Sequence, residues 1–232
     1  MDTRSRNRER REVLLKLPLP RLFLVTNAAV VGDPGFADRA AAALAAGGNR
    51  LALQLRAHEI AGRELLRLAQ QLKAVCAETG SQLWINDRVD LAVVSRAQGV
   101  QLGTRSLSPG VARRLLGEDC RIGYSVHSVG EAVARLGEGA DVALLGSVYA
   151  SASHPGRRPL GASAVREAAA GGRPIVAIGG ISANRVLSLI EAGAWGIAVL
   201  SGVWGSSDQA AEVRRYLDAL EAALPVNELR RR

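Results

Sequence analysis

PIVAIGGISANRVLSLIEAGAWGIAVLSGVW, residues 174–204, switches twice between a strand-like and a turn-like pattern. The run 174–178 is apolar and rich in β-branched residues, as a strand buried on both faces would be. Gly179 and Gly180 follow it, and without a Cβ the backbone can come close to a ligand there. Ser182 is placed as the N-cap of a helix whose apolar positions Val186, Leu187, Ile190 and Ala194 follow helical spacing. Gly193 punctuates its end, residues 197–200 form the next buried strand, and Ser201-Gly202 make the turn beyond it. Two successive strand-to-helix turns carrying Gly-Gly and Ser-Gly suit the phosphate site of a (β/α)8 barrel. In that fold, backbone N–H groups after the last two strands face an anion. Gly179, Gly180, Ser201 and Gly202 are therefore expected to bind phosphate.

The rest of the chain repeats the same alternation. Strands are expected at 21–26, 51–55, 82–85, 99–102, 121–126 and 141–145, ahead of the two above. Helices are expected at 36–46, 61–79, 89–96, 111–116, 131–136, 162–170 and from about 207 to 224. A long loop rich in Gly, Ser and Pro covers 146–161. Eight strands, each followed by a helix, give an α/β chain that folds as a single (β/α)8 TIM barrel. A doubly wound sheet has no use for eight such units at this length.

The chain has 232 residues and a formal net charge of +8, but that charge is unevenly spread. Residues 1–11 hold five Arg against Asp2 and Glu9, a local +3, and residues 227–232 hold three Arg against Glu228, a local +2. Subtracting both leaves +3 for the body. The domain division expected is a basic, disordered arm at 1–20, a barrel at 21–224 and a basic tail at 225–232. A modestly charged body argues against a nucleic-acid partner. No apolar run approaches the roughly 18 residues needed to span a membrane. Residues 13–19 are interrupted by Lys16 and Pro18, unlike the apolar core of a signal peptide. Cys76 and Cys120 have no metal-ligand spacing and read as buried thiols of a reducing compartment. A cytoplasmic protein with no membrane partner is the expectation.

Residues just past strand ends face one mouth in a barrel. That places Thr26, Asn27, Arg56, His58, Asn86, Asp87, Arg88, Gly103, His127, Ser147, Tyr149, Gly179, Gly180, Ser201 and Gly202 around the site, with Gln54 near the end of the second strand and His154 in a mouth-facing loop, a polar set with Asp87 almost the lone carboxylate. Arg56 is expected to bind an anion and Asp87 to orient Arg56 and support the loop. His127 follows the fifth strand, and an imidazole there can both take and return a proton near neutral pH.

The segments LFLVTN, LALQLR, WINDRVDLA, GVQLG, GYSVHS, SASHPGRRPLG and PIVAIGGI…GAWGIAVLSG, in this order over residues 22–204, resemble the thiamine phosphate synthase and TenI-like superfamily. The resemblance implies a barrel of thiamine biosynthesis that binds a phosphorylated thiazole small molecule, as a homodimer. In its synthase branch a pyrimidine diphosphate is joined to thiazole phosphate with Mg2+. The synthase pattern is matched at Gln54, Arg56 and Asp87, but His58 stands where a lysine is expected. Ser106 stands for a second metal aspartate, and Ser151, Ser153 and His154 stand for Thr, Thr and Lys. Those departures weaken the grip on a magnesium diphosphate. They point to the TenI branch, which aromatises thiazole carboxylate phosphate without metal, and in which a histidine at the position of His127 is the proton-transfer group. Gln54, Arg56, His58, Asn86, Ser151, Ser153 and His154 are then the substrate contacts. No cofactor is expected, and Asp87 would bind Mg2+ if the synthase reading held.

Overall fold

Short apolar strands that lose all exposure need cover on both faces, and a closed sheet ringed by helices supplies it without leaving an edge strand. The computed structural model describes residues 18–151, 156 and 158–224. The first half runs β1 (Leu22–Val25), α1 (Ala28–Val31), α2 (Phe36–Gly47), β2 (Leu51–Leu55), α3 (Gly62–Thr79), β3 (Gln82–Asn86), α4 (Val89–Ser95), β4 (Gly99–Leu102) and α5 (Pro109–Leu116). Then follow β5 (Arg121–Val126), α6 (Val129–Gly137), β6 (Val142–Gly146), α7 (Gly161–Ala169) and β7 (Ile175–Ile178). α8 (Val186–Glu191), β8 (Gly196–Val199), α9 (Ser201–Trp204) and α10 (Gln209–Ala223) complete the chain. The strands pair in sequence order, all parallel, and β8 closes on β1 with Leu22 opposite Ile197. The chain is a (β/α)8 TIM barrel.

Alternation along each strand sorts the core into two layers. Phe23, Val25, Ala52, Trp84, Val142, Leu144, Val176 and Ala198 fill the barrel, while Leu22, Leu24, Leu51, Leu53 and Ile85 pack outward on the helices. Trp84 is the largest side chain with no exposure. It meets Phe23 edge-on at 5.1 Å, and Gly99 leaves room for its indole, since a Cβ there would overlap the ring. Helix α3 shows why its stripe works: Leu65, Ala69, Leu72 and Cys76 are buried at alternating spacings of four and three, and Gly80 ends the helix at φ 77°.

At the N-terminal ends of the strands, the chain before β1 lies across the barrel floor. Gln82 Nε2 donates to the Pro18 carbonyl at 2.8 Å, and Trp195 Nε1 to that of Pro20 at 3.2 Å. The Arg21 guanidinium stacks on the Trp195 ring at 4.2 Å.

One position in the segment after β7 departs from expectation. Ser182 caps a 3-10 turn, Ala183–Arg185, and its hydroxyl turns to Asn184 Oδ1 at 2.5 Å instead of to a helix N–H. Val186 and Ala194 are buried and Ile190 packs against the core as expected, whereas Leu187 is 52% exposed and Leu189 is buried instead.

Candidate active site

The β1 and β2 ends are tied by Thr26, which is fully buried. Its Oγ1 donates to the Arg56 carbonyl at 3.1 Å and accepts the Arg56 N–H at 2.9 Å. Asn27 Oδ1 accepts the Val30 N–H at 2.9 Å and caps α1. Both mouth-facing residues therefore build the rim.

Above β2, β3 and β4 lies a connected polar cluster. Gln54 Nε2 donates to Asn86 Oδ1 at 2.8 Å, and Asn86 Nδ2 donates to Asp87 Oδ2 at 2.8 Å. The Ser106 hydroxyl donates to Asp87 Oδ1 and accepts the Gly103 N–H at 2.8 Å. His58 Nδ1 stands 3.8 Å from Asp87 Oδ2. Asp87 itself sits at φ 60°, a left-handed conformation that turns its carboxylate toward the β4 loop. The expectation that Asp87 orients Arg56 is not met: its partners are Ser106, Asn86 and His58. No carboxylate of the described residues lies within ion-pair distance of the half-buried Arg56 guanidinium. A cation left without a carboxylate beside a polar mouth suits an incoming anion.

One residue that sequence reading passed over belongs to this region. Gln101 is 1% exposed, and its Nε2 donates to Ser125 Oγ at 3.0 Å across the β4–β5 edge. The amide oxygens of Gln101 and Gln54 are both buried, with no hydrogen-bond partner among the described residues. A buried acceptor left unmade costs about 1–3 kcal/mol, so each is set for a donor from a ligand or water. Strand alternation places Gln101 inside the barrel, because its neighbours Val100 and Leu102 pack outward. That signal was present in GVQLG.

His127 follows β5 next to the end of β6, its parallel neighbour. Its Nδ1 lies 2.8 Å from the Gly146 carbonyl. A carbonyl can only accept, so the neutral ring carries its proton on Nδ1 and its basic lone pair on Nε2. The backbone N–H of His127 donates to Glu131 at 2.7 Å, while Ser128 Oγ accepts the Glu131 N–H at 3.2 Å. This reciprocal cap fixes the start of α6 and the position of the histidine.

The expected phosphate residues lie together at the ends of β7 and β8, which pair directly with Ile178 opposite Ala198. Gly179 and Gly180 have φ of 104° and 61°. A Cβ on Gly179 would sit 2.7 Å from Ser147 Cβ, and one on Gly180 would overlap the Ala150 carbonyl. The glycines are thus required by the chain after β6 as well as by any ligand. Ser201 and Gly202 open α9, whose first N–H groups have no carbonyl to reach within the helix. A Cβ on Gly202 would overlap Tyr216 Oη, which donates to the Ile181 carbonyl at 2.9 Å. Ser151 is half-buried just beyond Ala150. Ser153 and His154 lie outside the described residues, as do the arm through residue 17 and the tail from 225.

The donor set fits Mg2+ poorly. One carboxylate, already accepting from a serine and an asparagine with an imidazole 3.8 Å away, faces no second acid among the described residues, and Mg2+ demands near-ideal octahedral oxygen ligands. Among the described residues no group of three or more His, Cys, Asp or Glu could hold a metal ion. Asp90 does not help, because Arg88 grips it with Nε at 2.8 Å and Nη2 at 2.5 Å. That hydrogen-bonded guanidinium holds the Asp90 carboxyl below its ordinary value. Burial pushes the thiols of Cys76 and Cys120 up to about 12, so both are inert packing groups. No helix among the described residues is long and apolar enough to cross a membrane.

Comparison with known proteins places this chain in a family. The sequence profile described as "Thiamine monophosphate synthase" matches residues 22–203. A thiamine-phosphate synthase of Methanoculleus marisnigri is 39% identical over 204 residues, which cover 87% of this chain and 96% of that protein. One from Chlorobium luteolum is 43% identical over 168 residues, 72% of this chain and 78% of that protein. The structure of thiamine phosphate pyrophosphorylase from Pyrococcus furiosus superposes with a TM-score of 0.78 at 27% identity, covering 92% of this chain and all, 100%, of that one. These relatives carry the synthase name, not a tautomerase one, which counters the branch suggested by the substitutions at His58 and Ser106. From barrel, site and sequence together, the chain belongs to the thiamine monophosphate synthase family, among the enzymes of thiamine biosynthesis.

Proposed function

We propose that the protein acts on a phosphorylated thiazole precursor of thiamine, and that its reaction is the metal-independent tautomerisation of thiazole carboxylate phosphate to the aromatic isomer. The observation that carries this reading is Asp87. Where a synthase would pair two acids around Mg2+, a serine hydroxyl donates to Asp87, the one acid there among the described residues. A tautomerisation needs no metal and no diphosphate. It needs one group that takes a proton from one carbon and returns a proton to another, and His127 meets that need through Nε2. The ester is held by Gly179, Gly180, Ser201 and Gly202, and the ring carboxylate by Arg56, with Gln54, His58, Asn86 and Ser151 lining the remainder. A homodimer and a cytoplasmic location belong to the same proposal.

Thiamine-phosphate synthesis is the second reading, and the names of the 39% and 43% identical relatives favour it. Paired assays separate the two. One arm supplies thiazole carboxylate phosphate and follows aromatisation by absorbance; the other supplies thiazole phosphate with pyrimidine diphosphate and follows thiamine phosphate. Each is run in EDTA and in Mg2+. Aromatisation that persists in EDTA and falls by about 10²–10⁴-fold in His127→Ala supports the first reading. Thiamine phosphate formed only with Mg2+ supports the second and removes the first. Silence in both arms points to a binding protein.

A further inference from the structure

Beside the β7 turn stands a cation that neither the sequence reading nor the family resemblance assigns. Arg185, in the 3-10 turn before α8, lays its guanidinium 4.5 Å from the centre of the Tyr149 ring. Its Nη1 donates to the Gly180 carbonyl at 2.7 Å. The ring is held in turn, because Tyr149 Oη lies 3.3 Å from Ser188 Oγ, and that hydroxyl donates to the Arg185 carbonyl at 3.0 Å. Tyr149 N–H donates to the Gly179 carbonyl at 3.1 Å. No carboxylate of the described residues pairs with Arg185, so its charge is not neutralised locally.

These contacts set the polarity of the turn. Both carbonyls of the Gly179-Gly180 pair, which would repel an anion, are occupied: one by the Tyr149 N–H and one by the guanidinium. The Gly180 carbonyl shares its peptide with the Ile181 N–H. A charged donor on one end of a peptide strengthens the other end as a donor. Stacking on Tyr149 keeps the guanidinium from wandering into solvent.

We propose that Arg185, clamped between Tyr149 and the Gly180 carbonyl, is the fixed cation of the β7 turn and makes the site select a dianionic phosphate monoester over the corresponding alcohol. This rests on the reading that the β7 and β8 turns hold phosphate. It adds the group that gives that site its charge preference.

Calorimetric titration tests it, with hydroxyethylthiazole phosphate and with unphosphorylated hydroxyethylthiazole as probes. The wild-type protein, Arg185→Met, Arg185→Lys and Gly202→Ala are compared. Arg185→Met should weaken the phosphate ester by roughly 5- to 20-fold and leave the alcohol unchanged. Arg185→Lys should lose less, since it keeps the charge. The gap between wild type and Arg185→Met should narrow below about pH 6, where the dianionic monoester takes up a proton and becomes a monoanion, and at high salt. A merely structural role would move both probes together. Equal ester affinity in wild type and Arg185→Met, with Gly202→Ala still impaired, overturns the role of Arg185 and spares the phosphate reading. A wild-type protein that binds ester and alcohol alike overturns both.

Discussion

Replacing Ser106 by Asp would rebuild the second acid of a metal pair, and its consequence can be worked out from the contacts of Asp87. The substitution removes the hydroxyl that donates to Asp87 Oδ1 and puts a carboxylate in its place. Two unit charges about 4 Å apart repel by about 4 kcal/mol at an effective dielectric of 20. The Asp87 side chain is 37% exposed, and screening brings that to about 1 kcal/mol. Losing a hydrogen bond to a charged group adds about 1.5–2 kcal/mol. The total is about 2.5–3 kcal/mol, or about 5–12 °C in melting temperature for a chain of this size. Thermal melting in EDTA should show that drop. Mg2+ at about ten times its dissociation constant should restore about 1.4 kcal/mol in Ser106→Asp and leave the wild type unmoved. A wild-type protein stabilised by Mg2+ as much as the variant would refute the reasoning, because Asp87 would then be a competent metal site as it stands.

Other expectations are as direct. Arg56→Met should weaken binding of thiazole carboxylate phosphate about tenfold while shifting the melting temperature by no more than a degree or two, because no ion pair is lost; calorimetry and melting together check this. Gly202→Ala should lose phosphate-ester affinity and about 1–3 kcal/mol of stability, read from urea unfolding, since its Cβ displaces Tyr216 Oη. Cys76 and Cys120 should resist a disulfide reagent at neutral pH in the folded protein and both react in denaturant. Their folded pKa of about 12 exceeds the ordinary value of 9.0, so the stability they contribute is fully present below pH 9.0 and is lost as pH rises toward about 12. Urea midpoints that hold steady across that window would count against it.

Much of the fold was legible because buried parallel strands leave runs of apolar β-branched residues. β2, β4 and β5 fall at the expected bounds, and the remaining strands within a residue or two. Short elements were not legible. α1 is four residues whose start is fixed by the Asn27 cap, and α9 is four residues within what reads as a turn. Leu187 was misplaced because apolar character alone does not say which of two nearby helix positions, 187 or 189, turns to the core. At the site, Asp87 and Ser106 could be named from sequence, but not their hydrogen bond, because it joins loops from two strands 19 positions apart. Arg185 escaped for a similar reason, since its ring partner Tyr149 comes from the loop after β6. Gln101 was readable from the alternation in GVQLG, but not its bond to Ser125, which joins β4 to β5.

The short helix after β8 also gives the protein a built-in optical probe. Trp204 ends the same four-residue helix that Ser201 and Gly202 begin, and its indole N–H donates to the Val25 carbonyl at 2.8 Å. Trp84 is sealed inside the barrel and Trp195 is anchored on its floor. A ligand that settles on the helix start therefore perturbs one indole of the three and leaves two as an internal reference. Occupancy at this end of the barrel can be followed by tryptophan emission without a label, and Trp204→Phe should silence the response.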